Sequence, residues 1–272
     1  MSVCRTNVFA VRLLFSLVLL AAGCLLFSAC GPTYPKDKLA ESVEKLILKE
    51  HNIEGKARLA GKTLYLTIEL PELATKESEV PKEALKKLQG AVLSAVRVSL
   101  SSDAKIQYIL VYAAIPEWKL RIRIIEMVDD IKGFLYQKIS KGDYEERMIL
   151  DIATEEEFDT NTLELQHDLT REEFIAMLMV SQVNKLTRMN PFVGAVLKNV
   201  QLRFDTIQDG KLYLRVTDEI TRNVALMWME IIRDQAEKVL PKYKTWYPKS
   251  ITLTDRAKHS FSIPLQDYFT YK

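Results

Sequence analysis

The chain has 272 residues, of which 38 are Lys or Arg and 36 are Asp or Glu, so its formal net charge is +2. Because this balance provides no excess of positive charge, the composition argues against a protein that binds nucleic acid. Hydrophobic residues make up 48% of the chain, which is enough to form a core in one large domain or two small ones.

The first segment of the chain has the features of a secretory signal peptide. Arg5 and Arg12 precede an uncharged apolar run, residues 13–29, which ends in small residues just before Cys30. Residues 26–30 (LFSAC) resemble the lipobox of bacterial lipoproteins. This resemblance implies cleavage before Cys30, a diacylglycerol thioether on its sulfur, and a further fatty acyl chain such as palmitate on its new amino group.

Two alternatives for this leader stay open. Cys24 also follows small residues, but its modification would leave the apolar residues 25–27 at the start of the mature chain. Alternatively, the apolar run remains as an uncleaved anchor, although it is slightly shorter than the ~20 residues of a spanning helix. An anchor preceded by Arg5 and Arg12 would also place the rest of the chain outside the cytoplasm.

The cysteines of the chain fit the lipoprotein interpretation. They are Cys4, Cys24 and Cys30, so cleavage before Cys30 leaves no other thiol for a disulfide, a metal or catalysis. Loss of the two leader arginines leaves 36 basic residues against 36 acidic residues. We therefore expect a lipid-anchored protein of the bacterial cell envelope that faces the periplasm or the exterior. The residue after Cys30 is Gly31 and not the aspartate that is linked to inner-membrane retention in enteric bacteria, and this favours the outer membrane.

After a tether at 30–36, residues 37–128 predict a first unit with the element order αββαββ. Its first helix begins near Pro35 or Lys36 and is followed by a hairpin with a Gly61-Lys62 turn. Pro81 begins the second helix, and two strands, around 105–112 and 119–125, complete the unit. The apolar stripes of the two helices are Leu39, Val43, Leu46 and Ile47, and Leu85, Leu88, Val92, Ala95 and Val96.

Residues 169–272 predict a second unit with the same order. Thr170 and Glu173 form a capping box ahead of seven consecutive apolar residues, 174–180. An Asp209-Gly210 turn is typical of a tight hairpin. The other predicted elements are strands around 202–204 and 212–216, a helix from about 222 to 240, and strands at 250–254 and 259–265.

The two units also share residues. The sequence GKTLYLTI at 61–68 matches GKLYLRV at 210–216 with one deletion, which together with the shared element order predicts an internal duplication. We predict an α+β fold of two similar αββαββ units, each with a mostly antiparallel sheet and helices packed on one face. The two sheets then stand side by side or join edge to edge.

Residues 129–168 connect the two units. They contain an amphipathic piece with Ile131, Phe134 and Leu135, a predicted short helix at 140–148 and an acidic stretch at 155–159. Since the acidic stretch has consecutive acids and no glycine, it does not match a calcium loop and is interpreted as solvated. We interpret the whole segment as a connection and edge cover, not as a third domain.

The sequence contains no recognisable catalytic motif. His51, His167 and His259 are far apart, and H-E-x-x-H, G-x-S-x-G, Walker and dinucleotide-binding glycine patterns do not occur. We therefore expect a protein that is not an enzyme and uses neither a cofactor nor a metal.

Two predicted helices are more apolar than their own sheet requires. A helix that rests on a sheet and otherwise faces water needs one apolar stripe, whereas residues 174–180 and 224–229 are apolar throughout. Either the other half, a partner or an apolar ligand must cover them. If they line a groove, its residues are Met177, Met179, Met227, Trp228 and Met229, whose flexible methionines would form an adaptable lining.

Three functions are compatible with these observations. The first is a non-catalytic binding or scaffolding module that the lipid holds at the membrane and that binds an envelope protein or an apolar ligand. The second is a carrier of an apolar ligand between the two halves. The third is a cell-wall or glycan hydrolase that uses acidic residues, which requires two carboxylates facing each other in a cleft, at least one with a raised pKa.

Overall fold

The structure is a computed structural model, and it describes residues 33–70, 82–154, 167–190, 197, 200–244 and 246–265. The leader with Cys24 and Cys30, and the acidic stretch 155–159, lie outside the described residues.

The first unit contains two helices and four strands in the predicted order. After a 3-10 turn at Lys36–Lys38, its elements are α1 (Leu39–His51), β1 (Gly55–Ala60), β2 (Thr63–Glu69), α2 (Lys82–Leu100), β3 (Tyr108–Ile115) and β4 (Leu120–Met127). Asn52 ends α1 in the left-handed conformation and donates its backbone N–H to Leu48, an arrangement that satisfies a terminal carbonyl of the helix.

The connecting segment contributes more secondary structure than the sequence predicted. It forms α3 (Val128–Leu135), α4 (Lys141–Arg147) and β5 (Ile149–Thr154). The predicted short helix is therefore present, and the Ser140 side chain caps it by accepting the backbone N–H of Asp143. Strand β5 pairs antiparallel with β4 and completes a five-stranded sheet, sheet 1, in the order β1-β2-β3-β4-β5.

The second unit repeats the order of the first. Its elements are α5 (Arg171–Met189), β6 (Leu202–Gln208), β7 (Lys211–Val216), α6 (Arg222–Tyr243), β8 (Ser250–Thr254) and β9 (Ser260–Pro264). The capping box of Thr170 and Glu173 is present at the start of α5. The four strands form sheet 2 in the order β6-β7-β8-β9. At the β6–β7 turn, Asp209 and Gly210 both have positive φ, as the tight hairpin requires.

The two units also share their strand pairing. In each, the first hairpin is antiparallel, a helix crosses over to a parallel neighbour, and the last pair is antiparallel. The parallel pairs are β2–β3 and β7–β8, and the other pairs are antiparallel. The predicted α+β class is confirmed, and the two similar units are consistent with a duplication.

The elements form four layers: helices α1 and α2, sheet 1, helices α5 and α6, and sheet 2. One face of sheet 1 packs on α1 and α2 through residues such as Leu66 and Val111. Its other face, which includes Tyr108 and Leu110, packs on α5 and α6, and these helices also cover the inner face of sheet 2. Helices α5 and α6 are therefore covered by a sheet on both sides, which explains their excess of apolar residues.

The outer face of sheet 2 completes the layers on the opposite side. Alternate residues on it, including Tyr213, Arg215, Thr252 and Ser262, point away from the core, as is usual for a mostly antiparallel sheet with one face toward water. Within the described part of the chain, no helix combines the length and apolarity needed to cross a membrane.

Candidate functional site

The two halves meet through specific polar contacts as well as through the shared core. The carboxylate of Asp168, which precedes α5, accepts the backbone N–H of Lys62 at 2.7 Å in the β1–β2 turn. A Cβ on Gly61 would lie 2.2 Å from the Asp168 carboxyl carbon, so this close approach requires glycine. The Tyr65 hydroxyl donates to the carbonyl of His167 at 2.7 Å. The junction is thus fixed at the β1–β2 turn.

At the opposite side of the junction, an open groove of about 520 Å³ lies between the edge of sheet 1 and the edge of sheet 2. We call it the junction groove. Strand β5 and the end of α4 form one wall, β6 forms the other, and α5 forms the floor. Its volume is within the range of small-molecule pockets, which occur preferentially where two domains meet.

The floor of the junction groove is a single stripe along α5. The stripe consists of Met177, Val180, Ser181, Asn184, Lys185, Arg188 and Met189, and Gln182 lines the groove beside it. This spacing of three and four residues places them on one face of the helix. Twelve residues separate the two ends, which corresponds to about 18 Å at 1.5 Å per residue. The groove therefore extends about 18 Å along α5, with apolar and cationic side chains along its floor.

An ion pair closes the inner side of the groove. Asp151 on β5 accepts hydrogen bonds from Arg123 Nε at 3.1 Å and Nη2 at 2.5 Å. The Ser181 hydroxyl on α5 donates to the second oxygen of the same carboxylate at 2.7 Å. Because Asp151 is held by these two side chains, it joins β5 to α5 and offsets the charge of Arg123.

The charges at the rim of the groove are mostly positive. Lys185 and Arg188 are exposed on α5 and line the groove. Glu145, at the end of the groove, forms an ion pair with Lys141 at 3.6 Å. Since Asp151 is already paired, the groove presents a net positive rim to a ligand.

Most of the predicted groove residues lie in the core, and only Met177 of them lines the junction groove. Met177, Met179, Trp228 and Met229 are buried in the shared core around α5 and α6, and Met227 is partly buried against it. Met177 also lines the junction groove. The floor of the groove thus begins within the apolar run 174–180, at Met177 and Val180, and continues about two and a half turns beyond it to Met189.

Two buried carboxylates lie at the end of β4 and in α3, outside the lining of the junction groove. Burial raises the pKa of Glu126, although a 2.7 Å hydrogen bond from the Tyr144 hydroxyl opposes this effect. Burial also raises the pKa of Asp130, and this rise is opposed by Arg147 and by the Tyr243 hydroxyl. These groups have the pKa shifts that acid–base catalysis uses, but neither carboxylate lines the junction groove.

A second polar cluster joins α1 to α2. His51 Nε2 lies 3.1 Å from the Ser94 hydroxyl, and this hydroxyl donates to Glu50 Oε2 at 3.3 Å. In a nucleophilic triad the serine proton goes to histidine, whereas here it goes to the carboxylate. Ser94 is only 2% exposed. The cluster is therefore a packing contact between helices.

Among the described residues, no group of three His, Cys, Asp or Glu side chains is placed to hold a metal ion. No family model, curated protein or solved structure matches the chain.

Sequence reasoning missed the polar part of the groove. Asp151 and Ser181 are 30 positions apart, and Arg123 lies on a different strand. Each is an ordinary polar residue in its own segment, so only the pairing of β5 with β4 and the packing of α5 bring them together. The one signal in the sequence was the excess of apolar residues in α5.

Proposed function

We propose that this protein is a non-catalytic binding module of the bacterial cell envelope, anchored by a lipid on Cys30, and that its ligand binds in the junction groove. The observation that carries the proposal is the groove itself, an open site of about 520 Å³ between two otherwise closely packed halves.

The chemistry of the lining supports binding of an amphiphilic ligand. Apolar atoms come from Met177, Leu202 and Phe204, and positive charge comes from Lys185 and Arg188. Ligand sites commonly combine a mainly apolar lining with a few polar groups that fix the orientation of the ligand. A ligand with an apolar body and a negative group therefore matches the groove.

The lipid anchor rests on the leader sequence. Its lipobox-like residues 26–30 and the polar, Gly-Pro-containing tether that follows support attachment at Cys30, with the body facing the periplasm or exterior and the outer membrane favoured. Radioactive palmitate should label the full chain and Cys24→Ser, but not Cys30→Ser. If Cys30→Ser is labelled and Cys24→Ser is not, the anchor is at Cys24. If neither substitution reduces labelling, the lipoprotein proposal fails.

Site-specific photo-crosslinking in the expressing cells tests the groove. A benzoylphenylalanine at Met189, which is 73% exposed at the end of the groove, should give an adduct with a ligand of defined mass. The matched control is the same substitution at Leu226, which is 58% exposed on α6 and lies outside the lining. Equal adducts from both positions, or none from Met189, would sink the proposal.

A carrier of an apolar ligand is a second candidate, because three methionines, Met148, Met177 and Met189, line the groove. Methionine side chains adapt readily to ligands of different shape. Native mass spectrometry of the full chain released from detergent should then show a retained apolar molecule, and this molecule should be lost in Met177→Arg. An empty protein contradicts the carrier but leaves the binding module in place.

A further inference from the structure

We propose that the ligand of the junction groove is an extended, acidic peptide segment that adds as a strand to the outer edge of β5. This inference rests on the proposed function, and it specifies the class of ligand. Four observations support it: the direction of the backbone groups of β5, the hydrogen bonds that already occupy the edge of β6, the apolar surface of β5 and the positive charge of the groove rim.

The outer edge of β5 directs backbone hydrogen-bonding groups into the groove. The hydrogen bond from Val128 N to Gln107 O shows which residues of β4 direct their backbone N–H and C=O groups toward β3. In an antiparallel ladder the alternate residues of β4 then direct these groups toward β5. By this alternation, Leu150 and Ile152 direct their N–H and C=O groups away from β4. The Arg188 guanidinium confirms the direction, since it donates to the carbonyl of Ile152 at 3.3 Å.

The opposite wall of the groove is already occupied at its edge. The Asn184 amide oxygen accepts the Leu202 N–H at 2.9 Å, and its amide nitrogen donates to the Leu202 carbonyl at 2.8 Å. Asn184 thus takes the place that a neighbouring strand would have beside β6. A similar contact protects β1, where Glu44 accepts the Ala57 N–H at 2.8 Å. On β5, Arg188 donates to the carbonyl of Ile152, but a guanidinium cannot accept the outward N–H groups of Leu150 and Ile152. Strand addition in the groove is therefore directed to β5.

The surface of β5 is apolar on the side that faces away from α5. Leu150 is 47% exposed and Ile152 is 36% exposed, although both lie in a regular strand. An exposed apolar edge strand favours pairing with another chain. Side chains of an added strand would cover these two residues on one face and face the α5 floor of the groove on the other.

Length and charge define the peptide further. A groove of about 18 Å accommodates about five residues at ~3.3 Å per residue. Lys185 and Arg188 project from the floor along this path. An acidic side chain or a carboxylate on the peptide complements this rim, and the interaction should weaken with salt.

Fluorescence polarisation with synthetic peptides on the full chain in lipid nanodiscs tests the inference. The probe is a fluorescein-labelled octapeptide, Glu-Val-Thr-Val-Asp-Ile-Thr-Glu. We expect saturable binding that becomes about tenfold weaker when lysines replace its acids, which corresponds to the loss of one charge-assisted contact. Methylation of alternate amide nitrogens should abolish binding, because a methylated amide cannot donate to the edge of β5.

Two pairs of variants locate the contact. Ile152→Pro removes an outward N–H without removing a hydrogen bond to β4, and it should weaken probe binding at least about tenfold. The control is Ser262→Pro on the edge strand β9, since the N–H of Ser262 also points outward. The hydrogen bond from Leu265 N to Lys249 O shows this, because in the antiparallel register it directs the backbone groups of Ser262 away from β8. Lys185→Glu should weaken binding similarly, whereas Lys238→Glu, exposed on α6, should not.

The outcomes separate this inference from the proposed function. If Ile152→Pro is folded and Lys185→Glu is folded, and both bind the probe as the unsubstituted chain does, the inference is wrong. If no peptide binds but Met189 still gives its specific adduct, the ligand belongs to another class and the groove remains the site. If Ile152→Pro instead converts a dimer into a monomer in analytical ultracentrifugation, the occupant is a second copy, which also overturns the inference.

Discussion

The side chain of Asn184 on α5 pairs with the backbone of Leu202 on β6 as a neighbouring strand would. The Asn184 amide oxygen accepts the Leu202 N–H at 2.9 Å, and the Asn184 amide nitrogen donates to the Leu202 carbonyl at 2.8 Å. This contact fixes the edge of sheet 2 on the helix layer and forms part of the wall of the junction groove.

Replacement of Asn184 by Ala should lower the free energy of unfolding by about 1–3 kcal/mol, because two backbone groups of Leu202 lose their partner. Gln182→Ala is the control on the same helix, since Gln182 makes one exposed hydrogen bond, to the carbonyl of Glu146 at 3.1 Å. It should cost less than about 1 kcal/mol. Urea denaturation followed by circular dichroism measures both free energies, and equal losses would contradict the pairing of Asn184 with the backbone of Leu202.

Gly61→Ala should destabilise the protein more than Gly210→Ala. Both glycines have positive φ, which costs an alanine about 1–2 kcal/mol. Only at Gly61 would the added Cβ meet another segment, the Asp168 carboxyl group at 2.2 Å, whereas the nearest atom at Gly210 is Lys249 Cε at 3.4 Å. Thermal unfolding of the two variants gives the comparison, and equal shifts in Tm would show that the Asp168 contact is absent.

Phe174→Ala should lower the free energy of unfolding by about 3–5 kcal/mol, because the ring is fully buried at the junction. The ring of Phe174 packs 5.4 Å from that of Tyr108 in sheet 1 and 6.0 Å from that of Tyr243 in α6, so its loss should weaken both halves together. Leu186→Ala, 39% exposed on the same helix, should cost less than about 1 kcal/mol.

Hydrogen exchange of amides in sheet 1 and in sheet 2 provides the readout for this cooperativity. In Phe174→Ala the exchange of both sheets should accelerate together. Acceleration confined to one sheet would show that the two halves unfold independently and that the shared helix layer does not couple them.

Glu126 should make stability depend on pH. Burial raises the pKa of its carboxyl group above the ordinary value of 4.5, so the folded state retains the proton at pH values where the unfolded state has released it. Its contribution is therefore most favourable below pH 4.5 and is lost as the pH rises through the raised pKa. Glu126→Gln, which keeps an acceptor for Tyr144, should gain stability relative to the unsubstituted protein over this range.

Denaturation curves from pH 4 to pH 8 measure the difference between the two proteins. Glu230→Gln, at a side chain that is 70% exposed, is the control and should leave the pH profile unchanged. A constant difference between Glu126→Gln and the unsubstituted protein across this range would show that the Glu126 carboxyl group does not titrate there.

The sequence by itself determined the local elements of this protein. The capping box at Thr170, the Gly61 and Asp209-Gly210 turns and the αββαββ order in both halves all appear where they were predicted. These features depend on residues within a few positions of one another, or on periodic apolar spacing, and such patterns are read directly from the chain.

Only the tertiary structure decided what covers α5 and α6 and where the groove lies. The short strand β5 was not predicted because its burial depends on its neighbour β4 and on the Asp151–Ser181 contact. The approach of Asp168 to Lys62 joins residues 106 positions apart. Contacts at such separations arise from the packing of the two halves. The apolar excess of α5 and α6 therefore indicated that another surface covers these helices, but it did not indicate which one. The structure shows that the second face of sheet 1 covers them, and the junction groove lies beside this contact.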